Sequence, residues 1–138
     1  MRESGGSQAE VRGRNGGYMI IAVDFDGTLC RSVWPGIGAP NIVLINYIKA
    51  RQKRGDKFIL WTCREGKKLE EAVEWCKAHG LKFDAVNDNL SEKKKQFGNN
   101  PRKIFANEYW DDKARGIFDV MKMAYRGQNG GKTNENGN

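Results

Sequence analysis

The sequence predicts a three-layer α/β fold, in which a mainly parallel sheet lies between layers of helices. Apolar runs of strand length alternate along the chain with segments that have helical periodicity. The first apolar run, 18–24, has no polar interruption, which is typical of a strand buried on both faces of a sheet. The chain has 138 residues, enough for one domain with a substantial core.

Each predicted strand is a short apolar run that ends at polar residues. We expect strands at 18–24, 57–62 and 83–86, and a fourth within 103–110. In an open sheet of parallel strands, ligands bind in the crevice at the carboxyl ends of the strands. The polar residues that follow the strands are therefore the first place to search for a functional site.

The predicted helices are bounded by residues that start or stop helices. Asn41 can cap the first helix, and Gly55 ends it. The second helix ends at Gly80, and a short basic helix covers 91–97. The last helix ends at Gly127. Its apolar residues, at helical spacing, are Ile117, Val120, Met121 and Ala124.

Both ends of the chain are predicted to be disordered. Residues 1–17 and 127–138 are rich in glycine and polar residues, so they bury too little apolar surface to offset the entropy of ordering. The folded domain should therefore span 18–126. No apolar run approaches the roughly 20 residues of a membrane span, and no secretory signal is present. We therefore expect a cytoplasmic protein with no membrane partner.

Cysteine content and charge limit the functional classes further. The three cysteines, Cys30, Cys63 and Cys76, form no CxxC pair, which favours reduced thiols over disulfides or a zinc site. The net charge of +7 is compatible with nucleic acid as a partner but does not favour it, because runs such as 93–95 are usually solvated faces. A phosphorylated small molecule is the favoured partner, and a homo-oligomer is compatible with the sequence.

Polar residues at three strand ends form a candidate site. They are Asp24 and Asp26 at the end of the first strand, Thr62 and Arg64 at the end of the second, and Asp111 and Asp112 at the end of the fourth. Residues i and i+2 of a strand point to the same side, so the first two carboxylates can face one site. Such close like charges repel unless a cation or a shared proton lies between them. Hard oxygen ligands of this kind favour Mg²⁺.

Other chemistries fit the residues less well. A calcium loop beginning at Asp24 would need glycine at its sixth position and glutamate at its twelfth, where the chain has Leu29 and Pro35. A nucleophile–histidine triad would need His79, which follows a predicted helix far from the strand ends. A glycosidase remains open but leaves Thr62 without a role. Phosphoryl transfer through an aspartyl-phosphate uses every part.

Four segments together resemble the haloacid dehalogenase-like (HAD-like) phosphatase superfamily. Residues 24–29, Asp-Phe-Asp-Gly-Thr-Leu, resemble its first motif, 59–62 its second and 109–112 its fourth. Lys103 is the best match to the motif-three lysine, with Arg102 and Lys93–Lys95 as rivals. The strings Ile-Leu-Trp-Thr-Cys-Arg-Glu-Gly and Glu-Trp-Cys-Lys-x-His-Gly-Leu resemble small capless members. The resemblance implies a Rossmann-like sandwich with no substantial cap domain, and the stretch 30–40 can form a flap but not a domain.

The resemblance also implies a Mg²⁺-dependent phosphomonoester hydrolase and assigns its catalytic residues. Asp24 would be the nucleophile and a metal ligand. Asp26 would protonate the leaving group and then activate water, with its backbone carbonyl on the metal. Thr62 would donate to a phosphate oxygen, and Lys103 would balance charge. Either Asp111 or Asp112 would complete the magnesium site, directly or through water.

A second group of residues is assigned to substrate binding. Its members are Gly27, Thr28, Cys63 and Arg64. Arg64 has an alternative as a surface partner of Glu65 or Glu70. The substrate itself is not identified by any of these residues. Two other functions stay open, namely a phosphatase acting on nucleic-acid ends and a non-catalytic module that binds phosphate or a partner.

Overall fold

The computed structural model describes residues 17–137, and side chains as far as Gln128. The predicted N-terminal disordered segment, 1–17, therefore lies outside the described residues except for Gly17. The described chain contains four strands and four helices: β1 (Ile20–Val23), α1 (Ile42–Lys53), β2 (Lys57–Leu60), α2 (Gly66–Ala78), β3 (Ala85–Val86), α3 (Ser91–Phe97), β4 (Glu108–Trp110) and α4 (Ile117–Gly137).

The four strands form one parallel sheet in the order β3-β2-β1-β4. This confirms the predicted α/β class. Val23 at the end of β1 pairs with Leu60 of β2 and with Trp110 of β4. Because the three strands end at the same level, the residues after them begin at one edge of the sheet. The register thus brings the first, second and fourth sequence motifs together.

The sheet is buried on both faces, which explains why β1 is apolar at every position. The side chains of Ile21 and Val23 pack on one face with apolar residues of α1 and α2, including Ile45 and Ala72. On the other face, Ile20 and Ala22 of β1 form a core with Ile59, Leu90, Ile104 and Ala106. Alternate residues of one strand therefore serve two separate cores, as the pleat requires.

Helix α1 begins where the sequence predicted. The Asn41 side chain accepts a hydrogen bond from the Leu44 N–H (3.2 Å), which satisfies one of the free donors of the first turn. The Gly55 N–H donates to the Gln52 carbonyl, and Gly55 has a φ of 101°. A residue with a side chain adopts this φ at a cost, so Gly55 lets the chain turn directly into β2.

Polar side chains close the amino-terminal edge of the sheet. Asp56 accepts the Met19 N–H (2.9 Å), Asp84 accepts the Phe58 N–H (2.9 Å) and Asn107 accepts the Ile20 N–H (2.8 Å). Asp56 is also paired with Arg51 at 2.6 Å. Each of these three residues thus binds the backbone at the start of a strand.

The last helix differs from the prediction in its length and its packing. It continues past Gly127 to Gly137, so most of 127–138, predicted to be disordered, has helical backbone. Glycine permits left-handed backbone but does not require it, and Gly127 has none of the positive φ that would end the helix. The apolar residues predicted to pack, such as Ile117 and Met121, are 64% and 58% exposed. Among residues 17–137, none of the helices is both long and apolar enough to cross a membrane.

Candidate functional site

Three carboxylates meet at the carboxyl edge of the sheet. Asp24 follows β1, and Asp111 and Asp112 follow β4. Each can offer an oxygen such that all three oxygens lie within 4.8 Å of one another. Asp24 is half-buried, whereas the other two are exposed. No lysine or arginine within the described part of the chain forms an ion pair with any of them, so the cluster carries uncompensated negative charge.

The electrostatics of Asp24 reflect this crowding. Burial, and after it the charge of Asp111, raise the pKa of its carboxyl to about 6. The Phe25 N–H and the Thr28 hydroxyl act in the opposite direction. A raised pKa means that the ionised form is unfavourable in this place. A divalent cation among the three carboxylates would relieve that cost, and three oxygen donors are a ligand set suited to Mg²⁺.

Gly27 and Thr28 hold the cluster together. Gly27 has a φ of +86°, and a Cβ atom at this position would overlap the Asp112 carboxylate. The Thr28 hydroxyl donates to Asp24 Oδ2 (3.2 Å) and accepts the Asp112 N–H (3.0 Å). These two residues, predicted to bind substrate, therefore position two acids that come from different strands.

Asp26 does not belong to the carboxylate cluster. Its two oxygens accept a bidentate pair of hydrogen bonds from Arg64, from Nε and from Nη2, both at 2.8 Å. The Arg64 side chain is 1% exposed and that of Asp26 is 23% exposed. The assignment of Asp26 as general acid stays a prediction, but in this structure its carboxylate is bound by a guanidinium.

Arg64 has different partners from those the sequence suggested. It was predicted to bind a substrate anion, with Glu65 or Glu70 as alternative partners, and both interpretations require an exposed side chain. Instead, 2% of the residue is exposed, and it contacts Asp26. The planar guanidinium matches the fork of a carboxylate, and Asp26 is the acid within reach when the chain turns back after β2.

Thr62 lies in the loop after β2, at the same edge of the sheet as the carboxylate cluster. The Thr62 N–H donates to Asn87 Oδ1 (2.8 Å), and the Thr62 hydroxyl oxygen accepts the Arg64 N–H (3.1 Å). This second bond uses a lone pair, so the hydroxyl proton is still available for a phosphate oxygen. Cys63, predicted to bind substrate, is exposed and reduced.

Asn87 is a site residue that the sequence did not identify. It follows β3, has a φ of 51°, and orients the Thr62 backbone from a neighbouring strand end. Its amide also reaches the Arg64 carbonyl at 3.5 Å. The sequence feature that could have identified it is an asparagine in the polar segment 87–89 directly after a predicted strand. Asparagine tolerates left-handed backbone better than most residues.

Lys103 is the predicted catalytic residue with the least support from the geometry. Its ammonium lies 5.7 Å from the centre of the Tyr109 ring, and within the described residues it forms no ion pair with an acid. The rival Lys94 is paired with Asp88 at 2.7 Å. Lys93, another rival, is buried beside the Phe105 ring and donates to Gln96. The motif-three role therefore stays a prediction for Lys103.

The fold and the cluster define an α/β protein with a carboxylate-rich site at the carboxyl edge of a parallel sheet. A similar solved structure is described as that of a conserved protein coded by a locus from Bacteroides thetaiotaomicron. It is 37% identical, with a TM-score of 0.64, and the match covers 78% of this chain and 92% of that chain. The chain belongs to the same family as this conserved protein. It matches no family model and no curated protein.

Proposed function

We propose that this chain is a Mg²⁺-dependent phosphomonoester hydrolase of the HAD-like type that acts through an aspartyl-phosphate. The observation that carries the proposal is the convergence of Asp24, Asp111 and Asp112, with one oxygen of each within 4.8 Å of the others and no basic partner in the described chain. The order of the motifs supports the same conclusion. An uncompensated acidic cluster costs stability, and a cation-dependent reaction gives it a use.

Mg²⁺ would be held by Asp24, Asp111 and Asp112, and when bound it would offset the repulsion between these carboxylates and a phosphate group. The three acids fit such an ion because they are hard oxygen donors at one exposed edge of the sheet. Thr28 would hold Asp24 and Asp112 in place through its two hydrogen bonds.

The chemical steps use residues of the chain. A carboxylate oxygen of Asp24 would attack phosphorus, and the bond from phosphorus to the leaving oxygen would break as an acyl phosphate forms, while the leaving oxygen takes a proton from Asp26. Water, giving a proton to Asp26, would then attack phosphorus, and the bond from phosphorus to Asp24 would break, which releases inorganic phosphate and restores the Asp24 carboxylate. With a pKa of about 6, Asp24 is mainly ionised at neutral pH, as a nucleophile must be. The Thr62 hydroxyl would donate to a phosphate oxygen and hold it in line.

The test is hydrolysis of para-nitrophenyl phosphate by the full chain, with Mg²⁺ and with EDTA. We expect turnover that requires Mg²⁺ and falls by at least about a thousandfold in Asp24→Asn, since the nucleophile is lost. Asp84→Asn is the matched control, because it makes the same change at the opposite edge, where an amide oxygen can still accept the Phe58 N–H. Turnover by Asp24→Asn at the wild-type rate would overturn the assigned nucleophile.

A non-catalytic phosphate-binding module is a second candidate, favoured by the bidentate pairing of Asp26 with Arg64. A carboxylate bound in this way is not oriented to give a proton to a leaving group. This candidate predicts that Mg²⁺ and inorganic phosphate bind, measured by calorimetry, while a panel of phosphorylated metabolites and oligonucleotides is not hydrolysed. Turnover of any member of that panel would exclude it.

A further inference from the structure

We propose that Arg64 is a positioning residue that couples the flap, residues 30–40, to the carboxylate of Asp26. The flap arises directly after the first motif and ends just before α1, so it borders the edge of the sheet where the acids lie. The role of Asp26 in this inference rests on the proposed function. The coupling itself does not, because it can be measured in the absence of any reaction.

The contacts of the guanidinium reach Asp26, the flap tip and the first turn of α2. Besides Asp26, Arg64 binds the Gly36 carbonyl through Nη2 (2.7 Å) and approaches the Pro35 and Lys68 carbonyls through Nη1 (3.4 and 3.5 Å). All three guanidinium nitrogens are thus engaged. A charged, almost fully buried group needs such partners, since any that it loses would leave a donor without compensation.

Two aromatic rings complete the environment of the guanidinium. Its central carbon lies 5.2 Å from the centre of the Phe25 ring and 4.9 Å from that of the Trp34 ring. Phe25 is buried in the core beside β1, whereas Trp34 is 61% exposed at the tip of the flap. Arg64 therefore links a fixed ring of the core to an exposed ring of the flap through cation–π contacts.

The flap is closed at its base by backbone contacts and held at its tip by Arg64. At the base, the Arg31 N–H donates to the Ala39 carbonyl (2.8 Å), and Cys30 bridges to Pro40. At the tip, residues 33–36 are exposed, yet two of their carbonyls face the buried guanidinium. Movement of the tip therefore removes partners of Arg64, and a change in Arg64 alters how Asp26 is held.

In the proposed reaction, the position of the flap therefore sets the orientation of the Asp26 carboxylate through Arg64. Both Asp26 oxygens are directed at Arg64 while the tip is in place. When the tip moves away, Arg64 loses two carbonyl acceptors and one ring, so the pair with Asp26 is no longer held in one geometry. The carboxylate can then turn toward a phosphate at Asp24, two residues earlier in the chain.

Hydrogen exchange measured by mass spectrometry on the full chain tests the coupling. In Arg64→Gln we expect flap amides, such as Arg31 and Gly36, to exchange at least about tenfold faster than in the wild type, because hydrogen bonds to a charged group are lost. In Asp26→Asn the Gly36 amide should also exchange faster, although no hydrogen bond joins Asp26 to the flap tip among the described residues and its bridge to the flap is at Cys30, at the base. Peptides from β1 should not change in either variant.

Arg51→Gln is the matched control, because it breaks another arginine–aspartate pair, at the opposite edge of the sheet. It should speed exchange near Asp56 and leave the flap unchanged. Wild-type exchange of the flap in Asp26→Asn would overturn the coupling, and so would equal acceleration of the flap in Arg51→Gln. If Arg64→Gln does not fold, Arg64→Lys replaces it, since lysine retains the charge but not the bidentate fork.

Kinetics give a second measurement. If the wild type hydrolyses para-nitrophenyl phosphate, Arg64→Lys should raise kcat by about tenfold with little change in KM, because the weaker pair leaves the Asp26 carboxylate free to turn toward the leaving group in the transition state. An unchanged kcat would overturn the positioning role. Absence of turnover in the wild type would count against the proposed function alone, since the exchange experiment would still decide the coupling.

Discussion

The two edges of the sheet both carry acids, but the acids have different surroundings. At the amino-terminal edge, Asp56 and Asp84 each accept a backbone N–H, and Asp56 has Arg51 as a partner. At the carboxyl edge, Asp24, Asp111 and Asp112 lie close to one another without a basic partner among the described residues. The acids of the first edge bind the starts of strands and one of them is paired with a cation, whereas the acids of the second edge are crowded together with no paired cation in the described part of the chain.

This difference separates structural acids from candidate functional acids. A carboxylate that accepts a backbone N–H stabilises the fold, since it satisfies a donor that would otherwise be buried without a partner. A carboxylate beside two others destabilises the fold until a cation binds. Arg51 and Arg64 extend the comparison, because each pairs with an aspartate at a different edge, but only the Arg64 pair contacts the flap.

The largest effect is expected from removal of an acid at the amino-terminal edge. Asp56→Ala should lower the free energy of unfolding by about 3 kcal/mol, because it leaves the Met19 N–H and a largely buried Arg51 without this partner. Urea denaturation of the metal-free protein measures the change. Asp84→Ala, at an exposed position of the same edge, should cost less. Equal stability of Asp56→Ala and the wild type would remove the contrast between the two edges.

A smaller but more specific effect is expected at Gly27. Gly27→Ala should destabilise the protein by about 2 kcal/mol, since alanine is strained at this φ and its methyl group displaces the Asp112 carboxylate. The rise in Tm with Mg²⁺ that the proposed metal site predicts for the wild type should be lost as well.

Gly66→Ala is the control for this strain. Gly66 also has a positive φ (+57°), but open space surrounds its missing Cβ, so we expect a cost of about 1 kcal/mol. The rise in Tm with Mg²⁺ should be retained. A rise in Tm with Mg²⁺ in both variants would show that Mg²⁺ binding does not depend on the position of the Asp112 carboxylate.

Removal of an acid at the carboxyl edge should have the opposite sign. In EDTA, Asp24→Asn should raise the free energy of unfolding, because the substitution removes repulsion among the three carboxylates. Solvent screens part of this repulsion, so the expected gain is about 1 kcal/mol. In Mg²⁺ the order should reverse, since the wild type gains stability from the bound ion. Thermal denaturation with and without Mg²⁺ measures both. A less stable Asp24→Asn in EDTA would contradict the crowding of charge.

The smallest expected effect is the pH dependence of the difference in the free energy of unfolding between Asp24→Asn and the wild type in EDTA. The pKa of Asp24 in the folded chain, about 6, lies above the roughly 3.9 of an unfolded aspartate, so the folded chain binds this proton more tightly. Its contribution to stability therefore increases as the pH falls from about 6 toward 4. The gain from Asp24→Asn in EDTA should shrink between pH 7.5 and pH 5, as measured by urea denaturation.

Glu92→Gln is the control for pH. The Tyr18 hydroxyl and the Lys57 ammonium hold the pKa of Glu92 below its usual range. A lowered pKa contributes stability that is lost only as the pH falls through the folded value. The effect of Glu92→Gln should thus stay constant between pH 7.5 and pH 5. A constant effect of Asp24→Asn over the same interval would contradict the raised pKa.

Much of the fold could be predicted because local signals and tertiary packing agree. The apolar run of β1 required burial on both faces, and Asn41 caps α1 as expected. The short helix Ser91–Phe97 has the predicted bounds. Helix α4 was the exception, because its apolar spacing indicated a packed helix that would end at Gly127. Helical spacing reports amphipathicity but does not specify which surface the apolar face will contact.

The α/β class and the acids at the strand ends could be predicted from local sequence, because strand period and chain polarity are local properties. The partners of those acids depend on tertiary contacts. Asp24 and Asp26 are equivalent in sequence pattern, yet Asp24 joins Asp111 and Asp112 whereas Asp26 pairs with Arg64. That division depends on the direction of the chain after β1 and β2, and side chains 38 residues apart meet only once the sheet has formed.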